Sequence, residues 1–128
     1  MTKITKGSCN CGGVTWEAKG EMRPIVACHC GQCRKQTGLY YAATASDDVN
    51  LKINGDALKW FHASATAKRG FCGECGSALF WKHQDQDYTS ILAGSIDGPS
   101  GLEIEKHIFV ADMPDWYELT DGKPQRQS

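Results

Sequence analysis

Seven cysteines lie in three tight groups: Cys9-Asn10-Cys11, Cys28-His29-Cys30-Gly31-Gln32-Cys33 and Cys72-Gly73-Glu74-Cys75. Thiolates are good zinc ligands: four close a tetrahedral site, whereas three leave a position for substrate or water. Two groups offer two sulfurs each and the middle one offers three, so the count points to one metal for structure and one for chemistry. Cys72 and Cys75 have zinc-knuckle spacing, in which a tight turn aims both sulfurs at one ion and Gly76 can supply the positive φ. Cys9 and Cys11 bracket one residue, and on an extended chain such positions project from the same face. Alone, that pair reads equally well as two buried reduced thiols. Joined to the knuckle, it completes four ligands and ties the first strand to a sheet.

In the middle group Cys28 and Cys30 share a face, and Cys33 returns through a short turn. His29 points to the other face of an extended backbone, so it reads as a structural hydrogen-bonding residue and not as a ligand. No neighbour obviously completes this shell, although His62, His83 or His107 could fold in. Arg34 and Lys35 follow directly and favour thiolate over thiol. They could also attract a substrate carboxylate, but a solvated basic turn explains them as well. The plainer alternative is three reduced cysteines or a degenerate structural site.

The elements that must carry these groups are short. Val14–Glu17, Leu51–Ile53 and Leu58–Phe61 read as strands, the last two joined through Asn54-Gly55-Asp56. Tyr40–Thr44, Ala78–Trp81, Tyr88–Leu92 and His107–Val110 follow the same pattern, and fourteen glycines punctuate the chain. One helical turn is expected from Gln32 to Thr37, stopped by Gly38. The aromatics Trp16, Trp60, Phe61, Phe71, Phe80 and Trp81 suit a core better than a ligand pocket. Asp85 and Asp87 fall in a polar, solvated loop. Neither a serine nucleophile elbow nor a phosphate-cradling loop is evident. The expected fold is mainly β, with residues 1–120 forming one zinc-binding domain and residues 121–128 a polar, frayed tail.

Bulk properties remove several classes of function. At 128 residues one core is available, small enough for a metal staple to help. A formal net charge of -1 does not suit a nucleic-acid binder. The N-terminal stretch Met1–Lys6 lacks the apolar run of a secretory signal, and no segment approaches the length of a membrane span. Seven is an odd number of cysteines, which argues against a complete disulfide framework and for metal ligation in a reducing, cytoplasmic setting. Oligomeric state is not encoded in any of these features.

Three strings, Gly7-Ser8-Cys9-Asn10-Cys11-Gly12-Gly13-Val14, Cys28-His29-Cys30-Gly31-Gln32-Cys33-Arg34-Lys35-Gln36-Thr37-Gly38 and Phe71-Cys72-Gly73-Glu74-Cys75-Gly76-Ser77-Ala78-Leu79, occur in order. With Ala93–Asp97, His107-Ile108 and Pro114-Asp115-Trp116, they make the chain resemble the glutathione-dependent formaldehyde-activating enzyme family over nearly its whole length. The resemblance implies a β-tent fold, in which several small, bent antiparallel sheets with little helix surround zinc. It implies that Cys9, Cys11, Cys72 and Cys75 hold a structural zinc, and that Cys28, Cys30 and Cys33 hold a second, catalytic zinc. The implied activity is that of a carbon–sulfur lyase read in reverse, joining formaldehyde to glutathione as S-hydroxymethylglutathione. A short N-terminus before Cys9 and the absence of a dedicated glutathione motif mark departures from longer members.

Zinc on the middle group would supply thiol activation at neutral pH. Carbonyl polarisation is the weaker option, because three thiolates already donate to the metal. A rival reading is a small-thiol carrier or protein-binding module, since the β-tent fold also occurs in a chaperone of Rab-type small GTPases. A third is redox sensing, in which oxidation releases metal and forms a disulfide.

Overall fold

The computed structural model describes residues 3–128. Met1 and Thr2, part of the stretch read above as lacking a signal, lie outside them. In chain order the strands are β1 (Ile4–Ser8), β2 (Thr15–Lys19), β3 (Ile25–Cys28), β4 (Tyr41–Asp47), β5 (Leu51–Asn54), β6 (Leu58–His62), β7 (Ala67–Cys72), β8 (Ala78–His83), β9 (Tyr88–Leu92) and β10 (Ile104–Ile108), with one helix, α1 (Gly31–Thr37), between β3 and β4. The chain is mainly β, as expected. It divides into two compact units: one holds the residues up to Arg23 and Thr44–Gly101, the other Pro24–Ala43 and Leu102–Ser128.

In the first unit, β1, β2 and β5 form a three-stranded antiparallel sheet. On β2, Trp16 and Ala18 are buried while Thr15 and Lys19 are exposed, the alternation of a strand with one face on a core. The Trp16 indole N–H donates to Ser95 Oγ (3.0 Å), which donates onward to Leu92 O (2.8 Å). Trp16 is thus buried with its one polar atom satisfied. Strands β6, β7, β8 and β9 run as an antiparallel succession that places Leu79, Phe80 and Ile91 in the same unit's core. Each such side chain contributes about 1.5–3 kcal/mol by leaving water. Of the aromatics assigned to a core, Trp16 and Phe80 are buried, whereas Phe61 is 62% exposed. The segments Leu51–Ile53 and Leu58–Phe61 are strands connected in sequence as expected but not paired with each other: β5 pairs with β2, and β6 pairs with β7. Gly55 (φ +124°) permits this, because a Cβ there would lie 2.0 Å from the Gly13 carbonyl oxygen.

In the second unit, β3 pairs antiparallel with the start of β4 and parallel with β10, the latter matching His107 to Ala27 and Ile108 to Cys28. A second parallel contact, an isolated bridge, pairs His107 with Gln125. Strand β10 begins and ends earlier than its apolar residues suggest. Phe109 takes a left-handed conformation (φ 55°) and a 3₁₀ turn follows over Val110–Asp112. The polar tail, expected to fray, is instead hydrogen-bonded to this region. His107 N donates to Pro124 O (2.9 Å), Arg126 N to His107 O (2.8 Å) and Val110 N to Arg126 O (3.0 Å). Side-chain polarity announces an exposed surface but says nothing about where the backbone hydrogen bonds go.

Candidate metal centres

Two turns of the first unit bring four sulfurs together. Cys9 follows β1 and Cys72 ends β7, and both are buried. Cys9 N donates to Val14 O (3.0 Å) and Gly12 N to Cys9 O (3.2 Å), while Gly76 N donates to Cys72 O (2.8 Å) and Cys72 N to Ser77 O (2.9 Å). Gly76 has the positive φ (80°) that the knuckle requires. The Sγ atoms of Cys9, Cys11, Cys72 and Cys75 lie within 4.8 Å of one another, and could hold a metal ion. Cys9 to Cys11 and Cys11 to Cys72 are each 3.7 Å apart. A tetrahedron with zinc–sulfur bonds of 2.3 Å has edges of about 3.8 Å, so the donor set fits zinc.

The backbone of these turns is aimed at the sulfurs. Val14 N–H donates to Cys9 Sγ (3.2 Å), Gly13 N–H to Cys11 Sγ (3.4 Å) and Cys75 N–H to Cys72 Sγ (3.5 Å). Ser77 Oγ accepts from Asn10 N–H (3.0 Å) and so turns its proton toward Cys75 Sγ (3.2 Å), linking the two turns. The Ser77 hydroxyl, aided by backbone N–H groups, holds the Cys75 thiol down to about 5. Cys9 also lies below its ordinary range: burial opposes ionisation, but the Val14 N–H and the Cys11 and Cys72 thiols outweigh it. Cys11 is pushed up to about 12, because the charge on neighbouring sulfurs overrides the Gly13 N–H. Without a cation the four cannot all ionise; a divalent ion removes that conflict.

The second unit builds the other centre at a strand-to-helix junction. Cys28 ends β3, Cys30 is the N-cap of α1 and accepts from Cys33 N–H (3.4 Å), and Cys33 is buried in the first turn. The helix stops where expected, with Gly38 N donating to Arg34 O (2.8 Å). The Sγ atoms of Cys28, Cys30 and Cys33 lie within 4.8 Å of one another, and among the described residues no histidine, aspartate or glutamate joins them. The Cys28 thiol is strongly raised, first by Cys33 and then by burial, against the pull of the Cys30 N–H. Close-set sulfurs that resist joint ionisation again suit a cation. Arg34 is half-buried on α1, and its Nε is without a partner.

His29 does not join the three sulfurs. It is buried, and its Nε2 lies 2.8 Å from His107 Nδ1, while His107 Nε2 lies 2.8 Å from Asp121 Oδ2. His107 therefore enters this unit as a partner of His29 and does not complete the thiol site. Neither do the other two candidates: His62 is exposed on β6, and His83 Nδ1 accepts from Asp85 N (3.1 Å). Burial, then the nearby His107, lowers the His29 pKa, with Asp121 opposing. The rings of Tyr40 and Tyr117 pack around His29, with centroids at 5.0 and 6.4 Å. Ser77, Asp121, Tyr40 and Tyr117 are the residues that motif reading missed; only Ser77 carried a signal, its place directly after the knuckle glycine. None of the seven cysteines forms a disulfide.

A sequence profile of the glutathione-dependent formaldehyde-activating enzyme family matches residues 4–112, which contain both thiol sites. The chain belongs to this family. It is 28% identical over 130 aligned residues to proteins of Aspergillus flavus and Aspergillus oryzae, each provisionally named a glutathione-dependent formaldehyde-activating enzyme. Both alignments cover 90% of this chain and 62% of the relative, so the chain spans about three fifths of those proteins. A Rhodobacter sphaeroides protein of known crystal structure superposes with a TM-score of 0.62 at 24% identity, over 73% of this chain and 89% of the other. That likeness establishes the fold. No described helix is long and apolar enough to cross a membrane.

Proposed function

We propose that this family member joins formaldehyde to a small thiol, glutathione, and that its two thiol clusters have separate tasks. Cys9, Cys11, Cys72 and Cys75 hold a structural zinc; Cys28, Cys30 and Cys33 hold a catalytic one. The observation that carries this reading is the difference in ligand number, with four converging sulfurs in one centre and, among the described residues, three without a fourth His, Cys, Asp or Glu in the other. Zinc bound by three protein ligands supplies a site at which an incoming thiol is held and deprotonated near neutral pH.

The reaction is an addition: the thiol sulfur bonds to the aldehyde carbon, and the thiol proton ends on the aldehyde oxygen. The protein's residues hold and orient. Cys30 and Cys33 are set by the first turn of α1, and Cys28 by the register of β3 against β4 and β10. Arg34, directly after Cys33, carries the positive charge that would attract a carboxylate of the thiol substrate. Seven cysteines with no disulfide among them suit a reducing compartment, and the activity is assigned to the cytoplasm.

Two-dimensional exchange NMR of glutathione with formaldehyde, with and without a catalytic amount of zinc-loaded protein, tests the proposal. Exchange faster than the spontaneous rate, lost in Cys30→Ser, is expected. Saturable thiol binding without acceleration would overturn the enzymatic reading in favour of a carrier.

A further inference from the structure

Strand β10 links the short stretch Cys28–Cys30 on one side to the C-terminal tail on the other. Successive peptide groups of a strand point to opposite sides. Accordingly the N–H and C=O of His107 bond to the tail at Pro124 and Arg126, while the Ile108 carbonyl accepts from His29 N (3.0 Å). A side-chain chain runs in parallel, from Asp121 Oδ2 through His107 to His29 at 2.8 Å per step. Asp121 is anchored in turn, since its Oδ1 accepts from Lys123 N–H (3.0 Å). Residues 121–127 lie beyond the region matched by the family profile.

The direction of this chain follows from its end. The hydrogen bond from His107, with that from the Lys123 N–H, holds the Asp121 carboxyl below its ordinary range, and a carboxylate only accepts. With neutral rings, His107 must then donate from Nε2 and accept at Nδ1. His29 must donate from Nε2, which leaves its buried Nδ1 as a bare acceptor without a partner. The opposite order would set the His107 Nε2 lone pair against the carboxylate. One exposed carboxylate thus selects the tautomer of two buried rings.

We infer that Asp121 is a positioning residue for the second thiol site: through His107 it holds His29, and with it the backbone between Cys28 and Cys30. The segment Asp121–Gln127 is the strap that delivers it. This rests on the proposed function only for the task of the middle cysteine group. Hydrogen-bonded partners one step removed from a metal site commonly change its affinity by about 10- to 100-fold.

Histidine ¹⁵N spectra of the metal-free full chain at pH 8 report the tautomers without any assay of activity, with His62 and His83 as internal controls. In the wild type, His29 and His107 should each show only the Nε2–H form. In Asp121→Ala both should become mixtures, and alkylation of Cys28 and Cys30 should quicken. In chelator competition the second zinc equivalent, identified as the one lost in Cys30→Ser, should bind about tenfold more weakly while the first is unchanged. Asp121→Asn keeps an acceptor oxygen and should bring all three readouts most of the way back to wild type. Unchanged tautomers in Asp121→Ala, or equal weakening of both equivalents, would overturn the inference. A wild type binding one equivalent would overturn the metal reading of the middle group, and the tautomer and alkylation results would still decide the role of Asp121.

Discussion

The two thiol centres use the same ligand chemistry to different ends. In the first unit four sulfurs come from two turns 61 residues apart, Cys11 facing Cys72, and the backbone N–H groups of both turns point at them. In the second, three sulfurs come from six consecutive positions, with a strand end and a helix start doing the positioning. On the proposed reading, a cation in the first would close a long loop and add to folding stability. A cation in the second would add little to chain closure, because its ligands are already neighbours. Long-range ligation would then stabilise, and local ligation by three sulfurs would leave room for chemistry.

The comparison predicts unequal damage from equal mutations. Cys72→Ser, at a wholly buried ligand of the first centre, should lower Tm by about 15 °C or more and release one metal equivalent, as measured by thermal unfolding and metal analysis. Cys30→Ser should release the other equivalent and abolish accelerated exchange, while Tm moves by less than about 5 °C. Equal losses of Tm would erase the distinction between the centres.

Reactivity without metal sharpens the contrast. At pH 6 Cys75, held down to about 5, is mostly thiolate, whereas Cys28, pushed above its ordinary range, is thiol. Iodoacetamide should therefore modify Cys75 well ahead of Cys28, read by peptide mass spectrometry, and zinc should protect Cys75. Lowering the pH below 5 should remove the advantage of Cys75, since its thiolate is lost as pH falls through its folded pKa. The smallest effect is expected for Arg34→Ala. It should raise the KM for glutathione about fivefold with kcat little changed, the loss of one solvent-screened charge attraction of about 1 kcal/mol. A fall in kcat alone would place Arg34 in the chemistry and not in binding.

Both thiol groups were legible because metal ligation imposes spacing: CxC and CxxC place two sulfurs on one ion by local geometry, whatever the fold. The helix of the middle group was legible to within a residue, since Gly38 terminates it. Strands β1, β3 and β7 were not recognised. Their stretches Ile4–Ser8, Ile25–Cys28 and Ala67–Cys72 mix lysine, glycine or cysteine into short runs without clear alternation, and pairing partners decide such segments. The same holds for the connection through Gly55, where turn residues signal a change of direction but not which strand comes next.

By itself, then, the sequence determined the thiol groups, their count, the family and the mainly β character, all of which follow from residue types at short range. Tertiary structure alone decided that, among the described residues, no histidine joins Cys28, Cys30 and Cys33, that His107 turns to His29, and that a polar tail supplies Asp121 to that pair. Those outcomes depend on contacts between residues 14 and 78 positions apart. Side-chain type sets what such residues can do, but only the register of β10 against β3 and of the tail against β10 sets which of them meet.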